Sequence, residues 1–126
     1  LKTPGELIGP LAMELARFVD PLLPGVDVVA YERPLVRHPH AAQMLNGFAW
    51  VVELICAERE LLCLPIVNTR AKKFFVGKTY SKKDKPYPGI VRAHQLGVTS
   101  VKTTDEADAL AIHLYVQDLI KRGDVG

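Results

Sequence analysis

The sequence has 126 residues, 48% of them apolar and 24% charged, with two cysteines and a formal net charge of +2. That apolar share suits one packed domain over residues 1–126 and excludes a disordered chain, and two cysteines exclude a disulfide scaffold. No run of about 18 uncharged apolar residues is present for a membrane span; with no amino-terminal signal pattern and no metal-ligand spacing around Cys56 and Cys63, a reducing cytoplasm is expected.

In chain order, Leu7, Leu11, Leu15 and Phe18 recur at helical spacing and predict a helix from about Pro4 to Val19, stopped by Pro21, Pro24 and Gly25. Val26 to Tyr31 is short, β-branched and nearly all apolar, the pattern of a strand covered on both faces. After a loop with Pro34 and Pro39, a long helix is predicted over about Ala41 to Glu60. Leu45, Phe48, Val52 and Ile55 form one face, and Met44, Trp50, Val51 and Leu54 widen it, so burial on more than one side is expected. Leu62 to Val67 reads as a second strand, with Pro65 near its start or at an irregularity. The Pro86-Tyr87-Pro88-Gly89 cluster reads as a turn, a short helix follows from about Ile90 to Leu96, and a final helix spans about Thr104 to Lys121. Alternating strands and helices predict an α/β fold with a parallel sheet. Two strands make a thin sheet, and the chain starts at Leu1 without a methionine. Further strands are therefore expected upstream.

Three acidic residues stand out. Glu32 follows the first strand, where open parallel sheets bind ligands, although from position alone a solvent-facing carboxylate paired with Arg33 or Arg37 is the simpler reading. Asp105, Glu106 and Asp108 crowd the start of the last helix. Acids there suit the positive end of the helix dipole, and Thr103 with Glu106 has the form of a capping box. Asp105 and Asp108 are one turn apart, about 5–6 Å at Cβ, and head an apolar run, so a neutralising cation would relieve their repulsion. If they converge with Glu32, the three oxygen ligands suit Mg²⁺ facing a phosphate.

Charge is unevenly spread. From Arg70 to Arg92 eight cations face a single acid, Asp84, a net +7 that leaves −5 for the rest of the chain. Phe74, Phe75, Tyr80 and Tyr87 are interleaved with the lysines. Such a run is either a solvated loop with Phe74 and Phe75 tucked into the core or a patch that tracks phosphates. Basic charge beside an acidic metal site favours nucleic acid. His38 and His40 lack acidic or cysteine partners for a metal, His113 reads as a core or surface histidine, and Cys56 and Cys63 read as small buried hydrophobes.

Taken together, three stretches resemble the RuvC-type Holliday-junction resolvases, particularly their phage-type relatives in the ribonuclease H-like superfamily. Val28-Val29-Ala30-Tyr31-Glu32 is similar to the family's strand ending in a catalytic glutamate. Ala71-Lys72-Lys73, Val76-Gly77-Lys78 and Ser81-Lys82-Lys83 resemble its lysine-rich segment, and Asp105 to Ala111 resembles its closing acidic helix. The match runs from about Val26 to the last helix.

The resemblance implies a ribonuclease H-like mixed sheet flanked by helices. It also implies a homodimer joined through the helix 41–60, and a nuclease of branched DNA that uses Mg²⁺ or Mn²⁺, two ions in all. Glu32, Asp105 and Asp108 would be the catalytic metal ligands, and Lys72, Lys73, Lys78, Lys82 and Lys83 would contact the DNA backbone. A module of this fold that only binds nucleic acid, or one that acts on RNA or a transposon end, is the alternative. Two departures stand against the match. The family's first strand, with a further aspartate, has no counterpart, and Asp20 and Asp27 lie in the wrong context to replace it. Residues 1–126 alone are therefore expected to be short of one carboxylate. The Pro86–Gly89 cluster also interrupts a helix expected after the lysines.

Overall fold

The computed structural model describes the backbone of residues 4–34 and 39–124 and the side chains of residues 9–34 and 45–124. Among them are five α-helices and a two-stranded parallel sheet, a mixed α/β arrangement. The chain falls into two compact units, Leu1–Leu64 and Pro65–Gly126.

In the first unit, α1 (Pro4–Val19) packs against α2 (Pro39–Glu58). A 3-10 turn at Asp20–Leu22, with Pro21 removing a donor, ends α1 where the sequence predicts. Leu23 is buried behind that turn, and Gly25 takes the left-handed φ of 82° that redirects the chain into β1 (Val28–Glu32). The α2 helix stops two residues before its expected end. Glu60 adopts φ 55°, and the Leu61 amide donates back to Cys56 O at 2.8 Å, a reversal that feeds β2 (Leu62–Ile66). Pro65 sits within β2 yet is exposed, and a strand of a two-stranded sheet has a free edge where the missing N–H costs little. Ile55 and Cys56 are buried from α2, whereas Trp50 is 78% exposed and Leu45 and Leu54 are also open. His38 and the side chains of Leu7, His40 and Met44 lie outside the described residues.

The second unit is a helical cluster in which α3 (Asn68–Val76), α4 (Pro88–Gln95) and α5 (Thr104–Lys121) pack on one another. Ala71, Ala93, Ala107 and Ala111 are fully buried at these contacts, and such small side chains let helix backbones approach closely. Phe75, Val101, Ile112 and Val116 fill the remainder of this core. Burying a side chain of Phe75's size contributes roughly 2 kcal/mol. The sequence reading contains no helix over residues 68–76, where the lysines mask its apolar face. Asn68, Ala71 and Phe75 are nevertheless spaced to meet on one side, and Gly77, at φ 98°, closes the helix by donating to Lys73 O at 2.8 Å. The α4 helix begins at Pro88 rather than Ile90, because proline suits the first helical position, where no donor is needed. The α5 helix has the predicted bounds.

Candidate functional site

The start of α5 carries the predicted capping box. Thr103 Oγ1 accepts from the Glu106 amide at 3.1 Å, and Glu106 Oε1 accepts from the Thr103 amide at 3.0 Å. The Thr103 hydroxyl, donating to Glu106 Oε1 at 3.0 Å, and then the Lys102 and Thr103 amides hold the Glu106 carboxyl below the usual carboxylate range. With its first turn pinned in this way, α5 directs Asp108 inward and leaves Asp105 in solvent. The Asp105 side chain is 91% exposed and stands 4.0 Å from Lys82 Nζ, whereas Asp108 is 6% exposed. One helical turn thus separates two carboxylates with different surroundings.

Asp108 is the acidic centre of a buried polar cluster. Tyr87 Oη donates to its Oδ1 at 2.7 Å, and Asn68 Nδ2 donates to its Oδ2 at 3.5 Å. Tyr87 is positioned by the residue-88 start of α4, and Asn68 by the first turn of α3, so all three helices of this unit contribute. Tyr80 lies edge-on to Tyr87 with ring centroids 5.2 Å apart. The ammonium of Lys72 sits 5.2 Å from the Tyr80 ring centre and 5.8 Å from that of Tyr87, within cation–π range of both. Burial, and then the negative charge of Asp108, push the Tyr80 phenol up to about 12.

Two atoms of this cluster are buried and have no hydrogen-bond partner: Asn68 Oδ1 and Tyr80 Oη. Buried polar groups are nearly always paired, so each of these atoms has unused hydrogen-bonding capacity. Gly89 makes the cluster possible. A methyl group there would meet Tyr80 Oη at 2.9 Å and the Ala107 side chain at 3.3 Å.

The basic segment surrounds this cluster in sequence. Lys73, Lys78, Lys82 and Lys83 are exposed and Lys72 is half-buried. Asp84, its only acid, turns inward on its own loop, accepting from the Ser81 amide at 2.9 Å, while Ser81 Oγ accepts from the Lys83 amide. Among the described residues no lysine of the segment is paired with Asp84, and Lys82 alone of the five candidate lysines reaches an acid, Asp105 at 4.0 Å, so most of the positive charge stays uncancelled. Phe75 goes to the core and Phe74 stays 45% exposed, so the two phenylalanines divide between the alternatives posed by the sequence.

Glu32 is the last residue of β1 and is exposed, with no ion-pair or hydrogen-bond partner among the described residues. Arg33 does not pair with it, and Arg37 lies outside the described residues. Glu32 belongs to the first unit, Asp105 and Asp108 to the second. Within neither unit do three His, Cys, Asp or Glu side chains of the described residues stand together as a metal cluster. No protein-family model matches the chain, and no curated protein matches it.

Asp108 and Lys72 are candidates from the sequence and Tyr87 stands there among the interleaved aromatics, but Asn68 does not stand out, and the contacts by which Tyr87 and Asn68 hold Asp108 are not visible in the sequence. The available signal for Tyr87 is the Tyr-Pro-Gly run, with proline opening a helix and glycine allowing close approach. Asn68 offers none, because its role depends on a contact 40 residues away. His113 is exposed on α5, Cys56 is buried and Cys63 is half-buried. Burial, followed by contact with Cys56, raises the Cys63 thiol to about 12.

Proposed function

We propose that this protein is a metal-dependent endonuclease of branched DNA, with a ribonuclease H-like fold and RuvC-type chemistry. The observation that carries the reading is Asp108: a carboxylate withdrawn from solvent, oriented by two helices other than its own, and bordered by a lysine-rich segment. Burying a charge in a helical core is costly unless it is held by donors. A carboxylate kept there by Tyr87 and Asn68 has a geometry suited to a fixed ligand of a cation or of a developing charge.

In this reading the ion is Mg²⁺ or Mn²⁺, for which the described residues of the second unit supply one buried carboxylate, Asp108. Asp108 offers carboxylate oxygens, Asn68 Oδ1 is an unpartnered oxygen next to it, and hard divalent ions take such ligands together with water and phosphate. An ion held by Asp108 would supply the chemistry of making water a nucleophile at neutral pH and offsetting charge on the phosphoryl oxygens. The chain's own residues do the rest. Tyr87 holds Asp108 in one orientation, and Lys72, placed over two aromatic rings, brings positive charge to the site while its stem stays packed. Lys73, Lys78, Lys82 and Lys83 neutralise neighbouring phosphates, giving affinity that falls with salt. The exposed apolar residues of α2, Leu45, Trp50 and Leu54, suit a homodimer contact in the same reading.

The test is an assay of the gene product with Mg²⁺ on a synthetic four-way junction and on plain duplex. Preferential cutting of the junction is expected. No cutting, or equal cutting of both, overturns the proposal. Lys73, Lys78 and Lys83, exposed and without an acidic partner among the described residues, favour one second reading, a module that binds nucleic acid without chemistry, for which salt-dependent junction binding with no metal-dependent product is the signature.

A further inference from the structure

A cavity of about 470 Å³, open to solvent, lies between α3 and α4 in the second unit. Its size falls within the roughly 300–1,000 Å³ typical of small-ligand sites. Phe74, Pro86 and Val91 give it apolar walls, Lys78 and Arg92 give it two cations, Gln95 adds a neutral amide, and no acidic residue lines it. Arg92 Nε donates to Phe75 O at 3.2 Å, which ties the guanidinium to the wall. Neither Arg92 nor Lys78 has an acidic partner among the described residues. Phe74 is braced by the Tyr115 ring, 5.5 Å away at 55°, and still keeps 45% of its surface open.

Two uncompensated cations beside a fixed aromatic wall select a flat apolar group that carries an anion. We propose that this cavity receives an unpaired nucleotide of the DNA. Its base lies against Phe74, its edge is within the province of the Gln95 amide, and its phosphate is held by Lys78 and Arg92. The inference rests on the reading of the chain as a DNA-handling protein, and it names a structural feature that reading leaves open: recognition of a base that has left the stack. Base-on-aromatic stacking tolerates any base, so the pocket favours unpaired over paired positions without reading sequence.

The experiment compares binding of two duplexes, each with a one-nucleotide bulge, one bearing a base and the other abasic, across a salt series. The native protein is expected to prefer the base-bearing bulge on the order of tenfold, as aromatic stacking supplies. Phe74→Ala, with folding checked by circular dichroism, should bring the ratio close to one, and Phe74→Tyr should restore it. Lys78→Gln should weaken both duplexes alike and lower the salt slope by about one ion. Equal binding of both bulges by the native protein overturns the pocket assignment, as does an unchanged ratio in folded Phe74→Ala. Loss of salt-dependent binding to both duplexes would instead sink the DNA reading itself. Binding of an acidic, tyrosine-containing peptide in place of either duplex overturns the nucleotide as occupant.

Discussion

Asp108 is held by two neutral donors and paired with no cation among the described residues, so its substitution separates a structural role from a chemical one. Asp108→Ala removes the acceptor that Tyr87 Oη and the Asn68 amide share in the core and is expected to cost about 1–3 kcal/mol in chemical denaturation. Asp108→Asn keeps an oxygen for Tyr87. Its new amide finds a partner when the Asn68 amide turns half over, bringing the unpartnered Oδ1 toward it. That variant should lie within about 1 kcal/mol of the native protein, bind junctions normally and fail to cut them. Loss of folding or of binding together with cleavage would assign Asp108 to the fold instead. At this scale sequence reading is strong on which residue carries charge and weak on what orients it: Asp108 was legible from its spacing and apolar company, and Asn68 was not.

Among the elements, α5 is the one whose sequence specifies it most completely. Thr103, Glu106 and the apolar run from Ala107 to Val116 agree, and the helix has its predicted bounds with the capping box intact. Local hydrogen bonds between residues three apart require no tertiary context, which is why they can be read in advance. Thr103→Ala should cost about 1 kcal/mol by thermal or chemical unfolding, with amide exchange accelerated chiefly in the first turn of α5. A uniform increase across the chain would mean that the cap is not local. The α3 helix is the opposite case. Its exposed face is basic, its buried face is three residues long, and its helical state depends on packing against α4 and α5. The Pro86–Gly89 run shows a third pattern, a turn signal that is half right, since Pro88 and Gly89 open α4 while Tyr87 reaches into the core.

For the molecule as a whole, alkaline pH is a sharper probe than acid. Tyr31, Tyr80 and Cys63 each have their folded pKa raised to about 12. Burial is the first cause for all three, followed by the Glu53 hydrogen bond for Tyr31, the Asp108 charge for Tyr80 and contact with Cys56 for Cys63. Because the unfolded chain releases these protons near pH 9–10 and the folded chain near 12, their contribution is complete below about pH 9 and is lost as pH rises through 12. Unfolding midpoints should therefore hold to about pH 9 and then fall. A flat profile to pH 12 would contradict the assigned burial. Composition, the helix and strand alternation, the charge asymmetry and the absence among the described residues of a helix long and apolar enough to cross a membrane were all determined by the sequence alone, because each depends on residue type or short-range spacing. The pairing of Tyr87 and Asn68 with Asp108, the opposite exposure of Asp105 and Asp108, and the cavity beside Phe74 were decided only by tertiary structure. They arise from contacts between helices far apart in the chain, and no local pattern encodes which side chains those helices bring together.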